Sequence, residues 1–487
     1  MKKRFLNILT MLLMSVMVLL TPRCVELEET PLDFASPDNF YKSVSQIEAT
    51  FASSMNRLYG EWYGYSYSYY HFENDDQIYG GDLNFDDGHG NELWRNHYRA
   101  IADINPVIKA LNADVLGTAA DQTIKDELMA QAKFLRGFNY FFLVRMYGDL
   151  PLIIETTNVV SDPVSRSPVA DVYALIESDL QFAIANLPVT WDGAQRGRPT
   201  QDAAKAILAK VYITMATAPL NDATAAVKAR DMAKQVMDAG NYSLVPNIGE
   251  VFSLTNAYGP EMMWSFNAAE DDNATPPQIW LPGTMADGWN DIKAEKVFSD
   301  TYPDQPRKDA YLLLEDNDGT RYNDPTGWSW WGGAGIKKFL YDSWENALRL
   351  RSVQNYPIIR YADVMLIFAE AENMVNNGPT QAAVDAVNEI INRANGGVPN
   401  PEDPLATVGM TMEAFDAAVI HQRSLELAFE HDRWFDLVRK RILQENTVPE
   451  YQQNFSENDY LWPIPQADLR LNPLLIQNPG YTTPEQN

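Results

Sequence analysis

The chain has 487 residues, with 38 Lys and Arg against 66 Asp and Glu, a formal net charge of −28 at pH 7. A field of that sign repels a phosphate backbone and sets nucleic acid aside as a partner. Hydrophobic residues at 46% and charged residues at 21% give most of the chain enough apolar material for a core, which excludes general disorder. The single cysteine, Cys24, excludes intramolecular disulfides and any zinc site built on two thiolates.

Lys2, Lys3 and Arg4 precede an uncharged run from Phe5 to Leu20, followed by Thr21, Pro22, Arg23 and Cys24. As a helix this run is about 24 Å long, short of the roughly 30 Å hydrocarbon core of a bilayer. Residues 1–23 are therefore expected to be an export signal rather than a permanent span. Cys24, directly after the apolar run, is expected to carry a lipid, although Arg23 stands where lipoprotein signals usually have a small residue. Residues 24–40, with Glu26, Glu28 and Glu29, then form a tether.

Residues 59–70 hold seven aromatics, and Tyr65, Tyr67 and Tyr69 alternate with Ser66 and Ser68. Period-two spacing puts those three tyrosines on one face of an extended segment. Flat aromatic faces suit the apolar patch of a sugar ring, so Trp62, Tyr63, Tyr65, Tyr67, Tyr69 and Tyr70 are candidate glycan contacts. Packing in a core is the competing reading, weakened by the scarcity of aliphatic partners nearby. Asp82, Asn84, Asp86, Asp87 and Gly88 suggest a calcium loop, but its sixth position is Asp87 instead of glycine and its twelfth is Leu93 instead of glutamate.

From Glu92 onward the period is helical, as at Leu128, Ala132, Leu135, Phe138 and Phe142. Two alanine-rich helix pairs look alike: Ala203 to Thr217 with Asp222 to Ala239, and Arg360 to Asn376 with Thr380 to Ala394. Their length and the late aromatics Tyr212 and Phe368 suit tetratricopeptide units. On periodicity alone they suit hairpins of an irregular bundle equally well. Between Asn241 and Tyr356 the period fades, Pro, Gly, Asn and Asp accumulate, and seven of the 12 tryptophans occur. Trp280, Trp289, Trp328, Trp330 and Trp331 are candidate glycan contacts there, the last three in a glycine-bounded run expected to be displayed. Ile420 to Lys440 reads as one helix whose Arg423, Glu426, Glu430 and Arg433 form a structural ion network without a ligand role.

The expected fold is mainly α, a tetratricopeptide-like helical repeat scaffold with an irregular, loop-rich, partly β sub-domain. Its parts are a helical region at 41–240 with an aromatic loop at 59–90, an aromatic-rich insertion at 241–355 and a helical region at 356–487. The five histidines include no helical His-Glu-x-x-His, and there is no Gly-x-Ser-x-Gly elbow or phosphate-binding loop. No catalytic residue, metal site or cofactor is expected. A glycosidase needs only two carboxylates, which a sequence with 66 acidic residues neither locates nor excludes.

Five blocks carry a family resemblance. They are Trp94, Tyr98, Ile101 and Asn105; Ala132 to Arg136 with Tyr147 to Leu152; Gly197 to Thr200 with Ala203, Ala204 and Tyr212; Pro357 to Val364 with Ala369 to Ala371; and Arg423 to Leu437 with Pro463 to Pro465 and Gln477 to Tyr481. In this order they resemble the SusD/RagB outer-membrane lipoproteins of Bacteroidetes. Gln422 stands where that family commonly has glutamate and His431 where it commonly has glycine, a departure expected to touch the end of that helix. The resemblance implies a non-catalytic lipoprotein, lipid-anchored on the cell exterior, that captures oligosaccharides and passes them to a TonB-dependent transporter of the SusC type. Capture of peptides is the alternative within the family. The matched blocks are scaffold motifs and carry no ligand residues over.

Overall fold

The structure is a computed structural model that describes residues 40–63, 77–79, 88–157, 163–268, 280, 288, 292–315, 319–323, 333–339, 354–446 and 455–481, the backbone alone at 61–63, 77–79 and 88–90. Six long helices come first: α1 Val44–Tyr63, α2 Gly88–Asn112, α3 Gln122–Tyr147, α4 Val169–Asn186, α5 Gln201–Met215 and α6 Ala223–Ala239. An irregular stretch holds two short helices, α7 Lys296–Thr301 and α8 Pro306–Tyr311. The scaffold resumes with α9 Tyr361–Asn376, α10 Gln381–Ala394, α11 Met412–Glu426 and α12 Arg433–Lys440, and the short α13 Leu443–Asn446 and α14 Gln466–Leu471 follow. The strands are β1 Gln77–Tyr79, β2 Leu150–Pro151, β3 Arg166–Ser167, β4 Met262–Phe266, β5 Ile292–Ala294, β6 Leu312–Leu313, β7 Gly335–Ile336 and β8 Tyr356–Arg360. The mainly helical fold with an irregular, partly β portion is the one expected from periodicity.

Local chemistry sets the helix ends. Asp222 and Thr380 cap α6 and α10 by accepting from the Thr224 and Ala383 amides, and Thr200 caps α5 in the same way. A cap of this kind is worth about 1 kcal/mol. Left-handed Gly240 and Asn377 close α6 and α9. Consecutive helices pack side by side, and α9 lies against both α6 and α5, which joins the two predicted helix pairs.

The reading of Ile420 to Lys440 as one helix is corrected: the chain breaks after Glu426 and restarts at Arg433. Phe429 and His431 take left-handed φ values of 65° and 64°, a conformation that a side chain disfavours by about 1–2 kcal/mol. At His431, where the resembling family commonly has glycine, the imidazole stacks on Tyr356 at 5.2 Å, and Tyr356 donates its hydroxyl to the Phe429 carbonyl. These contacts offset the backbone cost.

The same bend carries a buried charge cluster. Arg360 donates to both Glu430 oxygens at 2.8 and 2.7 Å and also bonds Glu261 and Glu426. Arg393 reaches Glu261 and Glu426 at 2.6 Å each, and Arg307 reaches Glu426 at 3.1 Å and Asp403 at 3.3 Å. Lys338 donates to Glu430 at 2.5 Å and to the Glu426 and Ala428 carbonyls. Four cations thus face four carboxylates, and the arginines around Glu426 hold its carboxyl well below the usual range against the opposing effect of burial. The network expected in this segment is present, but its partners sit on distant elements instead of one turn away.

Lys338 is the weakest cation of the cluster, because burial pulls its pKa down to about 8 from 10.5 although Glu430 opposes the shift. In the unfolded chain Lys338 keeps that proton to about pH 10.5, so between pH 8 and 10 this one site binds more protons unfolded than folded and its contribution to stability rises with pH. We expect Lys338→Met to flatten this rise in urea-unfolding free energy measured from pH 8 to 10. An unchanged slope would assign the dependence to another group.

Candidate functional site

The predicted aromatic segments are anchored at a short strip of backbone. Strand β1 pairs antiparallel with β5, with Gln77 opposite Ala294, Ile78 opposite Lys293 and Tyr79 opposite Ile292. The Ala294 amide then donates to the Ala334 carbonyl at 3.0 Å, and β7, which follows at once, pairs with β6. The strip therefore joins the chain just after the tyrosine run, just after Trp289 and just after Trp331.

Each part of the strip has a local cause. Gly333 allows the closest approach, since a Cβ there would overlap the Ala294 carbonyl oxygen. Glu295 ends β5 and caps α7 by accepting from the Phe298 amide at 2.9 Å. Ser299 on that helix donates to the Glu295 carbonyl and accepts from the Ala334 amide at 3.2 Å. Tyr302 ties α7 to α11 through the carbonyl of Leu425, the residue before Glu426 of the charge cluster. Ile292, Ala294, Ala334 and Ile336 are all buried, so these four side chains of the strip offer no ligand-facing surface.

The predicted contacts fare as follows. Trp62 and Tyr63 fall in the last turn of α1, described as backbone only, while Cys24, Tyr65, Tyr67, Tyr69, Tyr70, Trp289, Trp328, Trp330 and Trp331 lie outside the described residues. Trp280 is corrected: it is 1% exposed with its ring 5.8 Å from Phe339, the position of a packing residue and not of a displayed platform. Trp264 of β4 is likewise core, set edge-on to Phe134 and Phe138 of α3 at 4.7 and 5.0 Å. Tyr59, at the start of the tyrosine run, is buried and donates to the Gln354 carbonyl at 3.0 Å. Sequence reasoning missed Gly333 and β1. The signal at β1 was Ile78 and Tyr79 bounded by Asp75, Asp76, Gly80 and Gly81.

A cleft of about 740 Å³ lies beside α7, α11 and α13, lined by Glu413, Asp416, Lys440 and Glu445 among others. Burial raises the Asp416 pKa, Glu370 adds to the shift, and the Lys440 ammonium at 2.7 Å opposes it. The Asp416–Lys440 ion pair ties α11 to α12. Among the described residues no group of His, Cys, Asp or Glu is placed to hold a metal ion, and no helix is long and apolar enough to cross a membrane.

Gly333→Ala tests the strip. We expect a loss of about 1–3 kcal/mol in stability and faster hydrogen exchange at the Ala294 amide, since the added methyl must push the two strands apart. Native exchange at Ala294 in that variant would mean that the close approach is not required.

Comparison with known proteins agrees with this architecture. A family model described as "SusD family" matches residues 283–481, and one described as "Starch-binding associating with outer membrane" matches residues 36–213. SusD-like protein P2 of Formosa agariphila is 27% identical, the alignment covering 96% of this chain and 98% of that protein. Among solved structures, a SusD homolog from Bacteroides thetaiotaomicron superposes with a TM-score of 0.77 at 20% identity, covering 91% of this chain and 98% of the other. A laminarin-binding SusD-like protein superposes with a TM-score of 0.74 at 23% identity, covering 91% and 100%. With residues 36–213 and 283–481 matched by a SusD-like and a SusD/RagB family model, the chain belongs to the SusD family.

Proposed function

We propose that the protein is a non-catalytic glycan-binding lipoprotein of the outer membrane. It is anchored through Cys24 and delivers captured oligosaccharides to a TonB-dependent transporter of the SusC type. The observation that carries the reading is the strip itself: backbone pairing at β1, β5 and Ala334 gathers the ends of three aromatic-rich segments that are far apart in sequence. Trp62, Tyr63, Tyr65, Tyr67, Tyr69, Tyr70, Trp289, Trp328, Trp330 and Trp331 are the contacts we assign to the ligand. Trp280 is left out because it is buried. The starch-binding description of one family model and the laminarin-binding relative support a carbohydrate ligand, and the former supports the outer membrane.

The charge state of two buried carboxylates supports the non-catalytic reading. General acids in glycoside hydrolysis are carboxyls kept protonated opposite a second carboxylate. Burial raises Asp416 and Asp432, but two other buried carboxylates are pulled the other way: Glu370, bonded to Arg439 at 2.5 and 2.7 Å, drops to about 2, and Arg423 and Arg439 hold Asp436 well below the usual carboxylate range. Glu370 and Asp436 stay ionised as scaffold.

Affinity electrophoresis through gels containing laminarin, starch or other neutral and acidic polysaccharides tests the proposal. We expect one polymer to retard the protein without release of reducing ends. Trp328→Ala with Trp331→Ala is expected to weaken that binding at least 10-fold. Retardation unaffected by the double substitution would remove the aromatic platform, and no retardation by any polymer would favour a peptide ligand.

A further inference from the structure

The strip holds the aromatic-rich segments where they end, and a second junction holds two of them where they begin. The Tyr59 hydroxyl, at the head of the tyrosine run, donates to the Gln354 carbonyl at 3.0 Å. The Gln354 side chain donates in turn to the Phe252 carbonyl at 2.6 Å. Asn355, next in the chain, accepts from the Ala268 amide at 3.0 Å and donates to the Ala257 carbonyl at 3.4 Å. Ala268 follows β4 and opens the stretch that leads to Trp280. Two adjacent amide side chains therefore bring the turn at 253–260 beside the chain that enters two aromatic-rich segments. Phe252 also fixes this turn to the strip, with its ring 5.9 Å from Tyr311, the residue before β6, and 5.7 Å from Phe339, three residues after β7.

Tyr258 stands on that turn. Among the described side chains it is the one aromatic left exposed, at 48%, and no described residue stacks on its ring or bonds its hydroxyl. The turn beneath it is fixed: the Asn256 side chain donates to the Glu250 carbonyl at 2.8 Å, the Gly259 amide to the Asn256 carbonyl at 2.9 Å, and the Ser243 amide to the Pro260 carbonyl at 2.9 Å. Gly259 permits this fold, since a Cβ there would lie 2.8 Å from the Asn256 side-chain oxygen and 3.0 Å from its carbonyl oxygen. A tyrosine carried on a fixed turn has only its two side-chain torsions to lose on binding, the condition for an effective stacking platform. From Asn247 to Pro260 the single charged residue is Glu250, so the turn offers nothing to pair with an acidic sugar.

We propose that Tyr258 is a stacking subsite for one uncharged sugar ring at the margin of the glycan site. The ring face covers the apolar C–H patch of the sugar, and the phenolic hydroxyl, donor and acceptor at once, bonds the sugar hydroxyls. The assignment rests on the glycan-binding reading and adds to it a contact and a preference for neutral polymers.

Affinity electrophoresis of the full chain through gels containing laminarin or starch, both neutral, or alginate, which is acidic, tests it. We expect one of the neutral polymers to retard the protein and alginate to leave it unretarded. Tyr258→Ala is expected to weaken that binding about 3- to 10-fold. Its Tm should not change, because the exposed ring supports nothing in the fold. Tyr258→Phe keeps the ring and should retain most of the affinity. Unchanged affinity in Tyr258→Ala, while Trp328→Ala with Trp331→Ala still weakens binding, would overturn the subsite and leave the glycan reading standing. Equal loss in the Phe and Ala variants, or a lowered Tm in the Ala variant, would overturn stacking. Retardation by alginate alone would overturn the preference for an uncharged ring, and retardation by none of the three would overturn the subsite and count against the glycan reading as well.

Discussion

The bond set around Arg360 is the constraint on which the rest depends. Arg360 ends β8 and precedes α9, and its guanidinium holds Glu261 from the start of β4 together with Glu426 and Glu430 from the bend after α11. Removing either sign from such a cluster leaves a buried charge without its partner, a loss of about 3–5 kcal/mol. A balanced cluster adds little net stability over an apolar core of the same volume. What it provides here is position: Arg307, Lys338 and Glu261 come from the irregular portion, and Arg393, Asp403, Glu426 and Glu430 from the helical one, so only one docking of the two satisfies all the charges.

That docking sets the geometry further out. Tyr302 bonds the Leu425 carbonyl and Lys338 bonds the Glu426 and Ala428 carbonyls, so α7 and the segment after β7 are held against the end of α11. From α7, Ser299 and Glu295 organise β5 and Ala334, and β5 in turn holds β1. A second buried chain, Lys210 to Asp363 to Arg423 to Asp436 to Arg439 to Glu370, ties α5, α9, α11 and α12 into one frame. The path from scaffold to strip thus runs through short polar contacts, with the apolar core filling the space between the helices.

The helical pairs were legible because an amphipathic helix repeats its signal over several turns and because Asp222 and Thr380 mark their starts. The ion network at Arg423 to Arg433 was legible as a network only. Its partners Arg307, Lys338 and Glu261 are far away in sequence and carry no periodic mark. The break after Glu426 was hidden because Phe429 and His431 adopt a conformation that glycine would have announced. Strands of two or three residues are too short for alternation to register, which hid β1 and its pairing. Tryptophans in a loop-rich stretch have the same composition whether they pack or project, so the burial of Trp264 and Trp280 shows only in their three-dimensional placement.

The central claim is that a scaffold fixed by buried charges presents a strip on which the glycan-contacting segments converge. Hydrogen exchange of the full chain, with and without a polysaccharide that retards it in gels, tests this most directly. The account predicts added protection at 77–79, 292–294 and 333–336, with α9 and α10 unchanged. Protection confined to the helices, with the strip exchanging as before, would contradict it.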